Sequence, residues 1–167
     1  MSMHKVYLSI GSNYEPETNL HTGISLLRNH VQVETISPVY ETVPIGKTQS
    51  PSYLNAAVLI QTDLDPIALK ADVLRPIEAR LGRSRAPEYQ HIVPIDLDIV
   101  LFDNLVQEIG NQQIPEPDIE NYAYIAVPLA DIAPDYQHPV NGKTIAEIAA
   151  PFRGTQAIIR RRDITFD

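Results

Sequence analysis

Ile95-Asp96-Leu97-Asp98-Ile99-Val100-Leu101-Phe102 is the stretch around which the rest of the chain can be ordered. Successive side chains of a β-strand point to opposite faces. Ile95, Leu97, Ile99 and Leu101 then face a core, and Asp96 and Asp98 share the other face. Aspartate is disfavoured inside strands, so two of them in a strongly apolar one ask for a reason. Either that face is simply wetted by solvent, or the two carboxylates hold a hard divalent cation that cancels their repulsion. Magnesium is typically bound through one or two carboxylates, with water and substrate phosphates completing its shell.

Upstream of this strand lies a polar loop, Arg83 to Pro94, and before it a helix that starts at Asp65-Pro66. Asp65 suits the N-cap and Pro66 the first helical position. Ile67, Ala71, Leu74, Ile77 and Leu81 are its expected buried stripe. Pro76 should kink or interrupt it, and Gly82 ends it. Tyr53 to Thr62 alternates as a strand. Gln32 to Thr42 reads as another, with Pro38 marking an edge or a bulge. Leu20, Ile24 and Leu27 recur at helical spacing over about 18–29. Lys5 to Ile10 is the first strand, with Val6, Leu8 and Ile10 on one face, broken by Gly11-Ser12-Asn13. Downstream, Asp103-Asn104 is a turn. The prolines between Gln113 and Pro139 predict an irregular stretch with short helices. Lys143 to Ala149 reads as a helical turn or two, and Ala157 to Arg161 as a terminal strand. The order strand, helix, strand, strand, helix, strand predicts an α+β fold. Its core is a ferredoxin-like split βαβ unit, a mostly antiparallel sheet with helices on one face and an irregular C-terminal third. The other face is left for a ligand or for added segments.

Composition narrows the functional classes. At 167 residues the chain is read as one domain, 1–167, large enough to fold on its own core. It has no cysteine, which excludes disulfides, thiolate metal sites and cysteine nucleophiles. A formal net charge of −8 argues against nonspecific binding to nucleic acid or anionic membrane. No run approaches the ~20 apolar residues of a membrane span. Met1 to Lys5 lacks the features of a signal peptide, so a cytoplasmic location is expected. A P-loop is absent, and His4, His21, His30, His91 and His138 show no metal-ligand spacing.

Two further constellations stand out. Tyr53 and Asn55 share one strand face, which offers a flat heterocycle a ring to stack on and an amide that both donates and accepts. The plainer reading is a surface tyrosine beside an edge asparagine. Gly82-Arg83-Ser84-Arg85 offers guanidinium forks for phosphate oxygens, or else a helix C-terminus with the basic residues its macrodipole favours. The Arg160-Arg161-Arg162 run is open in the same way: a solvated tail or an anion contact.

Taken in order, these pieces resemble the 6-hydroxymethyl-7,8-dihydropterin pyrophosphokinase family from Tyr7 to about Gly142. The resemblance is carried by Leu8 to Asn13, Ser37 to Gly46, Tyr53 to Ala57, Glu78 with Gly82-Arg83, Asp96 to Phe102, and Val127-Pro128-Leu129 with Ile132-Ala133-Pro134. It implies transfer of diphosphate from ATP to a pterin hydroxymethyl oxygen, releasing AMP, in folate biosynthesis. It assigns two magnesium ions to Asp96 and Asp98. It places the pterin between Tyr53 and Tyr124, read by Asn55 and by backbone around Thr42 and Ile45. Arg83 and Arg85 approach the phosphates, and Glu78 lies on the nucleotide side. The partners implied are a pterin and ATP, with no nucleic acid and no membrane, on a monomer or weak homo-oligomer. The sequence departs from the family pattern on the ATP side. His91-Ile92-Val93 replaces Gly-Pro-Arg, Tyr89-Gln90 replaces Arg-Trp, and Glu116 and Tyr122 replace a histidine and an arginine. Lys47, His91, Arg153 and Arg160 to Arg162 are candidate substitute cations. The leading reading is a divergent pyrophosphokinase. The alternatives are a pterin-binding paralogue with weak, altered or no such activity, and a ferredoxin-like interaction module.

Overall fold

In the computed structural model, which describes residues 2–42 and 52–166, the first strand β1 (His4–Ser12) sits between β4 (Tyr53–Thr62) and β5 (Asp96–Phe102), antiparallel to both. The predicted strand over Gln32 to Thr42 is two strands, β2 (Gln32–Ile36) and β3 (Val39–Thr42), that pair one after the other with β4. Ser37-Pro38 separates them because proline supplies no ladder donor; the Ser37 hydroxyl instead accepts from the Ala57 backbone N–H at 2.8 Å. The β5, β1, β4, β2/β3 arrangement is the strand order of the split βαβ core, and every pairing among the described residues is antiparallel.

On one face pack α1 (Pro16–Arg28) and a second helical segment, joined by the buried Val6, Leu8, Ile10, Leu54, Val58, Ile60, Leu97 and Ile99. That second segment runs α2 (Pro66–Leu69), a π turn over Lys70–Leu74, and α3 (Arg75–Arg80). Asp65 caps it by accepting from the Ala68 N–H at 2.8 Å. The π turn accommodates Pro76, whose ring would clash with the carbonyl four residues back in a regular helix. Widening the turn also rotates the stripe. Ile67 and Ala71 are exposed and Leu69 and Val73 are buried, whereas unbroken α periodicity predicts the reverse. Gly82, with φ +96, closes α3. The Gly82 N–H donates to the Ala79 carbonyl at 3.1 Å and the Arg83 N–H to the Glu78 carbonyl at 3.0 Å, which is a Schellman cap.

The opposite face receives both the added segments and a cavity. α4 (Ala123–Ile132) and α5 (Ile145–Ala149) cover one part of the sheet, burying Ile125, Val127, Leu129, Ile145 and Ile148 against Tyr7, Tyr40, Ala57 and Leu59. Between α3 and β5 the polar loop contains one short 3-10 turn. The last third is more regular than its prolines suggest: α4 is ten residues long with Pro128 inside it. A hairpin of β6 (Gln107–Ile109) and β7 (Gln112–Ile114), not predicted from sequence, leans on β5. The strand expected over Ala157 to Arg161 is β8 (Ile158–Arg161), which pairs with β3.

Strict alternation fails at one point in the deciding stretch. Leu8 pairs with Ile99 but Tyr7 pairs with Leu101, so Val100 is an extra residue. This bulge flips the strand. Leu97 and Ile99 belong to the core beneath the sheet, while Val100 and Leu101 join the core on the face carrying Asp96 and Asp98.

Candidate active site

The register of the three central strands composes one row. Asn55 on β4, Gly11 on β1 and Asp96 on β5 are direct neighbours across the sheet, and Ser9 with Asp98 lies in the next row. Strands ~4.8 Å apart put about 10 Å between the Asn55 and Asp96 backbones. They bound a cavity of about 900 Å³. Its floor is Ser9, Gly11, Thr42, Tyr53, Asn55, Asp96, Asp98 and Val100. One wall is Tyr122, Tyr124 and Ile125 with Glu116 to Asp118, a second is the β6–β7 hairpin, and Lys70 and Arg75 come from the π turn and α3.

The ring-and-amide end is preorganised. Asn55 is buried, and its Nδ2 donates to Thr42 Oγ1 at 2.9 Å. Gly11 is required beside it, since a Cβ there would lie 2.7 Å from Asn55 Oδ1. Tyr53 and Tyr124 both reach this cavity, and Tyr122 stacks on Tyr124 with ring centroids 5.4 Å apart. Burial raises the Tyr124 hydroxyl to about 12, so it stays protonated and can donate. Ile45 and Lys47 lie outside the described residues.

At the other end Asp96 and Asp98 both face the cavity, as their spacing predicts. Burial, with the Asp96 carboxylate beside it and Glu78 nearby, pushes the Asp98 carboxyl up to about 7. Arg83 Nη1 donates to the Ile95 carbonyl at 3.1 Å and contacts Asp96 Oδ1 at 3.4 Å. Arg85 Nη2 donates to Glu78 Oε1 at 3.2 Å. Neither arginine lines the cavity, and neither does Glu78. Glu78 is instead a buried clamp: Oε2 accepts from the Leu97 backbone N–H at 2.8 Å, and Oε1 also accepts from Arg75 at 2.6 Å. It fixes α3 to β5 between the two aspartates. Among the described residues no cluster of three or more metal-binding side chains exists. A metal held wholly by protein has no seat there, whereas one carried on a substrate phosphate needs only the carboxylate pair.

Of the substitute cations expected from sequence, those among the described residues do not line the cavity. Arg153 donates to Asp131, which also holds the Tyr40 hydroxyl. Arg161 is pinned by Glu17, Glu41 and Asp163. His91 is exposed and does not line the cavity. Val93 is buried, and its N–H donates to Asn13 Oδ1 at 2.7 Å while Asn13 Nδ2 donates to the His91 carbonyl at 2.8 Å. Asn13 therefore ties down the end of the loop. Lys70, Arg75, Asn13 and the hairpin were missed from sequence; only the proline inside a helical pattern hinted at an irregular turn there.

The site thus sets paired carboxylates on β5 and an aromatic and amide pair on β4, with β1 between them, around one cavity of a ferredoxin-like sheet. Comparison with known proteins makes this specific. Residues 7–134 match the family model described as 7,8-dihydro-6-hydroxymethylpterin-pyrophosphokinase (HPPK), and the chain belongs to that family. The 2-amino-4-hydroxy-6-hydroxymethyldihydropteridine pyrophosphokinase of Haemophilus influenzae is 33% identical over 153 residues, covering 90% of this chain and 94% of the relative. The Bacillus subtilis enzyme of the same name is 36% identical over 129 residues, with 75% and 76% covered. Among solved structures, wild-type Plasmodium falciparum HPPK-DHPS with pteroate superposes with a TM-score of 0.74 at 14% identity. That match covers 95% of this chain and 48% of the other, so the chain spans about half its length, and it speaks to the fold alone. Among the described residues no helix is long and apolar enough to cross a membrane.

Proposed function

We propose that this chain transfers diphosphate from magnesium–ATP to the hydroxymethyl oxygen of 6-hydroxymethyl-7,8-dihydropterin, releasing AMP, in the folate pathway of the cytoplasm. The observation that carries this is the single row Asn55–Gly11–Asp96, which puts a heterocycle seat and a carboxylate pair on one cavity floor. The pterin lies between Tyr53 and Tyr124. Its amide edge is read by Asn55, which Thr42 holds in place; the family resemblance adds backbone at Ile45, outside the described residues. Asp96 and Asp98 would hold magnesium, which would supply positive charge to offset the phosphates. Two crowded carboxylates would gain a counter-ion from it. Arg83 meets Asp96 from the loop side, and Glu78, which holds Arg85, keeps the strand beneath them in place. Transfer of this kind needs alignment and charge neutralisation more than covalent help from the protein. The partners in this reading are a pterin and ATP, with no nucleic acid and no membrane, on a monomer or weak homo-oligomer.

A coupled assay for AMP release from ATP, with and without the hydroxymethyldihydropterin and with and without magnesium, tests the reading. Release that requires all three is expected. A protein that binds the pterin and never releases AMP is a carrier, and the proposal is then wrong.

A further inference from the structure

The cavity poses an electrostatic problem for a polyphosphate. Its described lining carries five carboxylates, Asp96, Asp98, Glu108, Glu116 and Asp118, against two cations, Lys70 and Arg75. We propose that Lys70 and Arg75, brought together by the π turn, form the cationic seat for the triphosphate of the nucleotide. The inference rests on ATP being the phosphate donor and concerns which residues of this chain receive it.

The turn provides the placement. The Arg75 backbone N–H donates to the Lys70 carbonyl, the i to i+5 closure that defines a π turn. Residues five apart then stand nearly one above the other, where an α-helix would splay them by ~140°. The two charges therefore leave the helix on one side, and both line the cavity that the carboxylate pair lines. A buried apolar stripe made only of Leu69, Val73, Leu74 and Ile77 leaves that side free to face the cavity.

Each cation is parked where it can leave at little cost. Lys70 Nζ donates to Gln112 Oε1 at 2.8 Å, a neutral amide that remains anchored through Nε2 to the Ile99 carbonyl at 3.0 Å. Arg75 shares Glu78 with Arg85. When Arg75 turns to a phosphate, Glu78 keeps Arg85 and the Leu97 N–H, so no buried charge is orphaned. The pair is also chemically complementary: arginine grips two phosphate oxygens with a fixed fork, and lysine supplies a mobile point charge.

Calorimetry on the intact chain tests this with magnesium plus inorganic tripolyphosphate, magnesium–ATP, adenosine and 6-hydroxymethylpterin as probes. Lys70→Met and Arg75→Met should each weaken tripolyphosphate and ATP about tenfold or more, with adenosine and pterin within twofold of wild type. Arg75→Lys, which keeps the charge and the tie to Glu78, should recover part of the loss. Tripolyphosphate affinity within twofold of wild type in both methionine variants overturns the proposal. So does a parallel loss of pterin binding, which marks a structural role, and so does a wild-type chain that ignores tripolyphosphate. The AMP assay separates the two claims. Triphosphate binding through these residues without AMP release leaves this inference standing and removes the catalytic reading. Wild-type KM for ATP in both methionine variants does the opposite.

Discussion

Gly11 shows how one absent side chain makes room for a neighbouring amide. A methyl group there would collide with Asn55 Oδ1 at 2.7 Å, and Asn55 cannot retreat without giving up its bond to Thr42. Gly11→Ala should therefore lose about tenfold in pterin affinity, roughly the worth of one buried hydrogen bond, with a small change in stability. Tyr53→Ala should lose roughly 1–3 kcal/mol through lost stacking, by analogy with bases on aromatic side chains. Pterin titrations of the two variants check both; affinities within twofold of wild type would refute the seat. Asp98 gives the pH dependence. Its carboxyl keeps a proton to about 7 in the fold, against 3.8 for the free side chain. Between those values the folded chain binds more protons than the unfolded one, so this group makes stability fall as pH rises through that window. Comparing urea midpoints at several pH values in wild type and Asp98→Asn should show that slope in the wild type and its loss in the variant. Magnesium needs the ionised form, so magnesium–ATP affinity should climb over the same window in wild type and stay weak and flat in Asp98→Asn. Identical pH profiles would remove Asp98 from the metal site.

At the scale of elements, the helical segment from Pro66 to Arg80 does three jobs in sequence. Its π turn presents Lys70 and Arg75, its third turn inserts Glu78 beneath β5, and its Schellman cap launches Arg83 towards Asp96. Glu78 is the joint. It is 2% exposed and serves two arginines and one strand amide, so Glu78→Gln keeps the shape and removes the charge. A loss of ~1–3 kcal/mol is expected from the weakened bonds, read as a lower urea midpoint with an unchanged m-value; an unshifted midpoint would contradict the clamp. Restoring the family's arginine at position 93 is a poor repair here. Val93 is packed inside and tied to Asn13, so Val93→Arg would force a charge into an apolar position and should destabilise the loop without raising AMP formation.

Across the whole molecule, the C-terminal strand is held by a different principle. Arg161 draws together Glu17 of α1, Glu41 of β3 and Asp163 of the tail, and His21 Nε2 meets the Thr165 carbonyl at 2.9 Å. The arginine run is thus partly a staple that closes the sheet beside β3. Arg161→Ala should speed amide exchange at residues 158–161 while leaving exchange in β1 and β4 unchanged; unaltered exchange at 158–161 would show that backbone pairing alone holds the strand.

Local periodicity and side-chain chemistry fix one part of this molecule. The strand at Asp96 to Phe102, the shared face of Asp96 and Asp98, the pairing of Tyr53 with Asn55, the Asp65 cap and the Gly82 stop follow from period-two alternation and backbone preference, which need no knowledge of distant residues. The order of these elements carries the family and its fold. The remainder depends on register and on partners distant in the chain. The bulge at Val100 sends Leu101 to the opposite core because β1 and β5 differ by one residue across the pairing. The π turn moves Lys70 and Arg75 into the cavity because Pro76 must be accommodated while Leu69 and Ile77 both stay buried. Glu78 becomes a clamp because the strand places the Leu97 N–H opposite it. Charge in a sequence has no direction, and which cations face a phosphate is fixed only when the helix bearing them is docked.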